Sequence, residues 1–311
     1  MKTETEIKQQ AAGATENVKT EAEVKGKVLE LLWHLKTEGY SDITIKGYRE
    51  RLTGLSKIAN LLIPESVKEA IARQNWSEGT KLMRVSTYSK FASFHGLTWK
   101  PPKYKLTQTL PFIPLESEID NLIAGCGKKT ATLLQLLKET GMRVGEALKL
   151  KWINFDIERN VVHITPEKHG KPRQLKISVK LAAMLNAMPK RSELIFNGVF
   201  DTTVRGNFDR QRRRIATKLA NPRLLHIHFH TLRHWKATME YAKTKDILHV
   251  MQLLGHRKIE STLTYTQLIN FETDEYHSAT AKTIDQAQKL IEAGFEYVCD
   301  FNDIKLFRKR K

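Results

Sequence analysis

The sequence predicts a mainly α protein with a small β-hairpin or sheet, an α+β fold in two domains. Three observations carry that expectation. Apolar residues recur at spacings of three and four through most of the chain after Val24. One stretch, WINFDIERNVVHITPEKHGKPRQLKISV, changes to the β-branched, alternating pattern of strands. The segment WKPPKYKLTQTLPFIP holds four prolines in sixteen residues, which no helix can run through, so it reads as an extended connection between domains.

Residues 1–23 are mostly Thr, Glu, Lys and Gln with almost nothing to bury, and are expected to form a mobile arm. A helical domain over 24–104 follows. VLELLWHL repeats apolar residues with helical spacing, and TIKGYRERLTGLSKIANLL does so again after Ser41, a suitable N-cap. Further helices are expected around Ser66–Arg73 and Trp76–His95. Residues 105–114 link this domain to a second one over 115–275. There, helices are expected over Glu116–Cys126 and Thr130–Leu150. VVHIT and RQLKISV then bracket the turn EKHGKP, a hairpin signal. Helical patterns return over Lys180–Met188, Thr203–Leu219, Thr231–Thr244, Asp246–Leu254 and Glu260–Asn270. In the tail, 276–311, a helix over Ile284–Ala293 ends at Gly294, and FEYVCDFNDIKLF fits a small hairpin. No internal repeat is visible.

Fifty-two Lys and Arg against 34 Asp and Glu give a net charge of +18 over 311 residues. Such a balance points to a polyanionic partner, most often nucleic acid, with anionic lipid or simple solubility as alternatives. Cys126 and Cys299 are the two cysteines and form no CxxC, which leaves no disulfide framework and no cysteine zinc site. The N-terminus lacks the apolar core of a signal peptide, and no apolar run approaches the ~20 residues of a membrane span. A cytoplasmic location without a membrane is expected.

The stretch LLHIHFHTLRHWKA crowds His226, His228, His230 and His234 together. On a strand the first three would share one face, as a metal site would need. However, no Asp or Glu lies between Gln211 and Met239, and no cysteine is near. His226 and His228 are better read as the end of a strand. With Thr231 as N-cap, His230 and Arg233 would begin a helix three residues apart, where free N–H groups, an imidazole and a guanidinium suit an anion. Arg143 sits on an otherwise apolar helical stretch, three residues before Glu146, either as half of a surface ion pair or as a functional cation. In LLGHRKIESTLTYTQL, Gly255 ends a helix, His256 follows, and Tyr265 comes nine residues later. Tyr265 could be a core aromatic, although polar Thr262, Thr264 and Thr266 argue for a less apolar setting. The run RQRRR, Arg210–Arg214, faces either phosphate or solvent, and Trp235 is read as packing.

TGMRVGEAL, HTLRHWKAT and LLGHRKIESTLTY, in that order and with a lysine-bearing hairpin between the first two, resemble the tyrosine recombinase (phage integrase) family. The match runs closely from Glu116 to Leu268. Residues 24–104 fit the family's core-binding domain by position and pattern, and the tail looks like that of archaeal integrases. The resemblance implies a two-domain clamp around duplex DNA, with a helical core-binding domain and a tyrosine-recombinase catalytic domain. It also implies a metal-free and cofactor-free site for strand cleavage through a 3′-phosphotyrosyl intermediate. Arg143 and Arg233 match the family's two arginines, His230 the histidine of its HxxR motif, His256 its His-or-Trp position and Tyr265 its nucleophile. Glu146 matches its supporting acid. The general-acid lysine falls on the turn, where Lys168 is favoured over Lys171. Two arginines suit the reaction because they clamp non-bridging oxygens bidentately and stay charged. A nucleoid-associated tetramer on two DNA sites, integrating or excising a mobile element, is the expected form. The tail's Leu290, Ile291, Phe295, Tyr297, Leu306 and Phe307 would dock on a neighbouring protomer or on their own domain. A type IB topoisomerase, a non-catalytic DNA-binding factor and a zinc protein are the rival readings.

Overall fold

The computed structural model describes residues 4–107, 109–167, 170–196, 202–268, 276–301 and 304–310; for 4–20, 202, 276, 277, 301 and 310 it describes the backbone alone. The chain divides into two compact units, Met1–Gln108 and Thr109–Lys311.

The first unit holds α1 (Glu4–Thr37), α2 (Asp42–Ser56), α3 (Pro64–Arg73) and α4 (Glu78–Phe94). Helix α1 starts twenty residues earlier than expected. The segment read as an arm is rich in Ala, Glu, Lys and Gln, strong helix formers that can extend a helix without a buried face. Ser41 and Ser77 cap α2 and α4 by accepting from the amides of Thr44 and Thr80. The four helices bury Leu31, Leu35, Leu52, Leu55, Ile71 and Phe91 in one apolar core. The hydroxyl of Tyr88 enters that core and donates to the Leu61 carbonyl at 2.9 Å, which satisfies its one polar atom. From Leu97 to Leu115 no described residue belongs to a helix or strand.

In the second unit, α5 (Glu116–Gly125) and α6 (Lys128–Thr140) precede a short α7 (Val144–Leu148). Three strands form an antiparallel sheet in the order β1 (Phe155–Asp156), β2 (Val161–Ile164), β3 (Arg173–Lys176). Then come α8 (Val179–Asn186), α9 (Thr202–Lys218), α10 (Phe229–Thr244), α11 (Ile247–Leu254) and α12 (Glu260–Leu263), the last running into a 3-10 turn over Thr264–Leu268. Helix α6 lies at the centre, burying Leu133, Leu134, Leu136 and Leu137 against the core that also takes Leu232 and Trp235 of α10.

The expected helix Thr130–Leu150 is two helices. Gly141 adopts the left-handed conformation, φ 62°, and caps α6, so the chain turns before Arg143. His226 ends a 3-10 turn, Pro222–His226, and His228 is the residue before α10, so neither ends a strand. Pro222 at the first position of that turn supplies the preset φ that a strand would not use. The expected cap of α10 also shifts: His228 is the N-cap, and its amide donates to Thr231 Oγ1 at 3.0 Å. The tail forms a second sheet in the order β4 (Tyr276–Ala281), β6 (Ile304–Arg310), β5 (Glu296–Phe301), with α13 (Ile284–Glu292) after β4. The hairpin and helix read from the sequence are there, and β4 joins them.

Candidate active site

The site begins where α6 stops. Because Gly141 turns the chain, Met142 drops into the core and Arg143 becomes the N-cap of α7. Its amide and its Nη1 both donate to the Glu146 carboxylate, at 2.9 and 3.1 Å. Glu146 is buried, and its Oε2 also accepts from Arg173 Nη2 at 2.6 Å. Burial works to raise the Glu146 pKa. The hydrogen bond and charge of Arg173, with the amides of Arg143 and Glu167, outweigh it and hold the carboxyl below its ordinary value. One carboxylate therefore serves two guanidiniums, and the cluster keeps a net positive charge.

Arg233, 1% exposed, is held differently. Nη1 donates to the Gly141 carbonyl and Nη2 to the Leu254 carbonyl, both at 2.8 Å. These carbonyls sit at the C-terminal ends of α6 and α11, where unpaired C=O groups and the helix dipoles favour a cation. Burial, then the charges of Arg143 and Arg173, lower its pKa to about 10, so the guanidinium stays charged at neutral pH. No described carboxylate hydrogen-bonds to it; the Glu146 charge acts on it without a direct bond.

Gly255, φ 67°, caps α11 and delivers His256 beside this cluster. His256 Nδ1 meets the buried Thr262 hydroxyl at 2.9 Å. Burial, then Arg233, Arg143, Arg173 and His230, push its pKa down to about 4, so the ring is neutral in the free protein. His230 itself is exposed at the start of α10, and its ring lies edge-on to that of His234, with centroids 4.6 Å apart.

Tyr265, 3% exposed, packs in an apolar cluster with Ala237, Val250 and Leu254. Its polar neighbours misdirect the sequence reading: Thr264 and Thr266, one residue to either side, face different ways, and Thr262 is itself buried. The 3-10 turn aims the ring inward, while Thr264 and Thr266 point elsewhere. Tyr265 Oη lies 3.1 Å from Nδ1 of His234, a contact that sequence reasoning missed. Burial raises the phenol pKa, opposed by the charges of Arg233 and Arg143. Burial and Arg233 lower that of His234.

Lys168 lies outside the described residues. Lys171 is exposed, and its amide donates to the Gly255 carbonyl at 3.2 Å, which docks the β2–β3 turn on the end of α11. The histidine cluster does not converge on a metal: His226 rests against Phe112, with ring centroids 5.6 Å apart, and His228 Nδ1 meets Arg212 Nη1 at 2.8 Å. Among the described residues, no three His, Cys, Asp or Glu side chains come together as a ligand set. Arg212, in the basic run of α9, is buried rather than facing phosphate or solvent, bonding to the Ile227 carbonyl and Asp209. Trp235 packs in the core, as read. Arg173 was also missed. Its signal was available: in the β2–β3 register it pairs with Ile164 and shares its face with Leu175, the inward side of the hairpin. No described helix is long and apolar enough to cross a membrane.

Comparison with known proteins agrees with this geometry. The model of the phage integrase family matches residues 115–270. The shufflon-specific DNA recombinase of Escherichia coli is 31% identical over 137 residues, covering 44% of this chain and 34% of that protein. Tyrosine recombinase XerA of Saccharolobus solfataricus is 24% identical over 184 residues, covering 58% of this chain and 60% of that protein. The chain thus spans between a third and three-fifths of the length of these two relatives. The crystal structure of a lambda integrase dimer bound to a COC′ core site shares the fold, with a TM-score of 0.62 at 15% identity over 81% of this chain and 79% of that one. With its family model spanning half of the sequence and the family's motifs gathered at one site, the chain belongs to the phage integrase family.

Proposed function

We propose that the chain is a site-specific DNA recombinase. It would cleave and rejoin strands of duplex DNA through a 3′-phosphotyrosyl intermediate, in integration or excision of a mobile element. The observation that carries this reading is the neighbourhood of Tyr265: a buried phenol within the field of Arg233 and Arg143 and hydrogen-bonded to an imidazole.

In this reading Arg143 and Arg233 hold the two non-bridging oxygens of the scissile phosphate, a preorganised electrostatic clamp. With the Thr262 hydroxyl donating to Nδ1 of His256, Nε2 carries the proton and donates to the same phosphate. Tyr265 attacks phosphorus as its proton leaves, assisted by His230 as base. The Oη–P bond forms, the P–O5′ bond breaks, and Lys168 protonates the departing 5′-oxygen. Because the phosphotyrosine keeps the energy of the broken ester, another 5′-hydroxyl can reseal the strand without a nucleotide cofactor. The family's working form, a tetramer on two sites, is supported here by the tail, whose Ile284, Ile291, Tyr297 and Val298 are exposed apolar surface. Solved structures of the same fold, such as the Tn1549 transposon integrase in complex with transposon right end DNA, support DNA as the partner.

The test is covalent trapping. Wild type and Tyr265→Phe are incubated in EDTA with fragmented, nicked genomic DNA, denatured, and the protein-linked DNA is sequenced. Adducts with wild type alone, enriched at one inverted-repeat sequence, are expected. Adducts scattered without a common sequence would replace recombination by topoisomerase-like relaxation. Binding without any adduct would leave a non-catalytic DNA-binding factor.

A further inference from the structure

Arg173 is a buried charge that the mechanism above does not use. Its side chain is 6% exposed and its Nη2 is committed to Glu146, the carboxylate that also fixes Arg143. Its Nε and Nη1 are buried without a partner, a costly state for a guanidinium. Its strand begins two residues after Lys171, the residue whose amide docks the β2–β3 turn on the Gly255 carbonyl. A Cβ added at Gly255 would lie 2.9 Å from Arg173 Nη1 and 2.9 Å from the Lys171 carbonyl, so the three segments meet there without spare room. After burial, its charge is among those that lower the pKa values of Arg233 and His256. A side chain this expensive to bury, touching two anchored elements of the site, has a use beyond filling space.

We infer that Arg173 is a positioning residue for strand cleavage: it ties the lysine-bearing β2–β3 turn to the Glu146–Arg143 pair and to the Gly255–His256 turn, and so sets where the turn's ammonium meets the departing 5′-oxygen. The inference rests on the recombinase reading and on a lysine of that turn as general acid. In the step concerned, Tyr265 Oη bonds to phosphorus, the P–O5′ bond breaks, and one ammonium proton passes to the 5′-oxygen. A misplaced turn leaves the oxygen to depart as a poor, unprotonated leaving group. Sulfur in the bridging position departs as a thiolate and needs no such proton.

The experiment measures single-turnover adduct formation on a nicked duplex bearing the sequence recovered by trapping, made with oxygen or with sulfur at the bridging 5′ position. Wild type, Arg173→Met, Arg173→Lys, Lys168→Ala and Lys171→Ala are compared. Arg173→Met is expected to slow the oxygen substrate on the order of 10²-fold, the scale of a lost general acid, and sulfur to restore most of that rate. Arg173→Lys, which keeps one charge near Glu146, should fall between and fold even where the methionine variant does not. An equal defect on both substrates, or none on either, in whichever variant folds would overturn the inference. If neither lysine variant is rescued by sulfur, the lysine's role fails and Arg173's with it. A wild type without adducts would instead sink the recombinase reading itself.

Discussion

The two units bury different kinds of side chain. In the first, Thr87 is buried, accepting from Arg51 Nε at 2.6 Å and donating to the Met83 carbonyl, and the His95 side chain, 6% exposed, sets Nε2 2.9 Å from the Lys27 carbonyl. The rest of its core is apolar apart from the Tyr88 hydroxyl. The second unit buries the charged side chains of Glu118, Lys138, Glu146, Arg173, Arg212 and Arg233. All but the last are paired with opposite charge. Glu118 meets Arg223, Lys138 meets Glu116 and Asp120, Arg212 meets Asp209, and Glu146 meets two arginines. Arg233 alone is held by carbonyls rather than by a carboxylate. Burial of charge therefore does not mark the site by itself. Arg233 differs in being a buried charge that the protein solvates without a carboxylate partner.

The largest effect that sharpens the contrast lies in the apolar unit. Phe91→Ala should cost about 3–5 kcal/mol through lost burial and a residual cavity. Denaturant melts should show this in the first unit, while the transition of the second keeps its midpoint; a shared loss would break the distinction between them. Next comes Arg233→Lys. It should slow adduct formation ~10²–10³-fold, because one ammonium cannot reach both carbonyls and a phosphate oxygen. Arg212→Lys, measured on the folded fraction, should leave that rate near wild type and lower only the unfolding midpoint. Equal rate losses in the two variants would erase the difference between solvated and cancelled charge.

Gly141→Ala tests the hinge on which Arg143 turns. A Cβ there meets Lys236 Cγ at 3.1 Å and Leu254 Cδ2 at 3.2 Å, at a positive φ. A left-handed non-glycine residue costs about 1–2 kcal/mol, so thermal melts should fall accordingly and cleavage should slow as Arg143 shifts. The last test is a pH dependence at His256. Its pKa falls from 6.5 to about 4 on folding, so between those values the unfolded chain binds more protons. Stability is therefore present above pH 6.5 and is lost as pH falls toward 4. In His256→Gln the fall in unfolding midpoint across this window should be shallower; an unchanged slope would mean the ring is already protonated in the native state.

How much of this was legible in the sequence follows the same division. The apolar repeats of the first unit, the Ser41 cap and the β-branched segments around the EKHGKP turn are local signals, and helices and a hairpin formed on them. Periodicity ran straight through Gly141, because a left-handed cap is a backbone choice that apolar spacing does not encode. Arg143, His230, Arg233, His256 and Tyr265 were singled out as candidates through their motifs, yet the inward aim of Tyr265 depends on a 3-10 turn packing against α10 and α11. His234 and Arg173 were missed for the same reason: each acts across the fold, to residues 31 and 27 positions away. The extension of α1 back to Glu4 follows helix propensity in a segment whose sequence carries few large apolar residues, the opposite of the signal that found the other helices.

Peptide mapping of the trapped adduct tests the central claim most directly. Wild-type protein is reacted with nicked duplex, digested with nuclease and protease, and the peptide carrying the residual nucleotide is sequenced by mass spectrometry. A nucleotide joined through its 3′-phosphate to Tyr265 is expected. Attachment to any other side chain, or through a 5′-phosphate, would contradict the site described here.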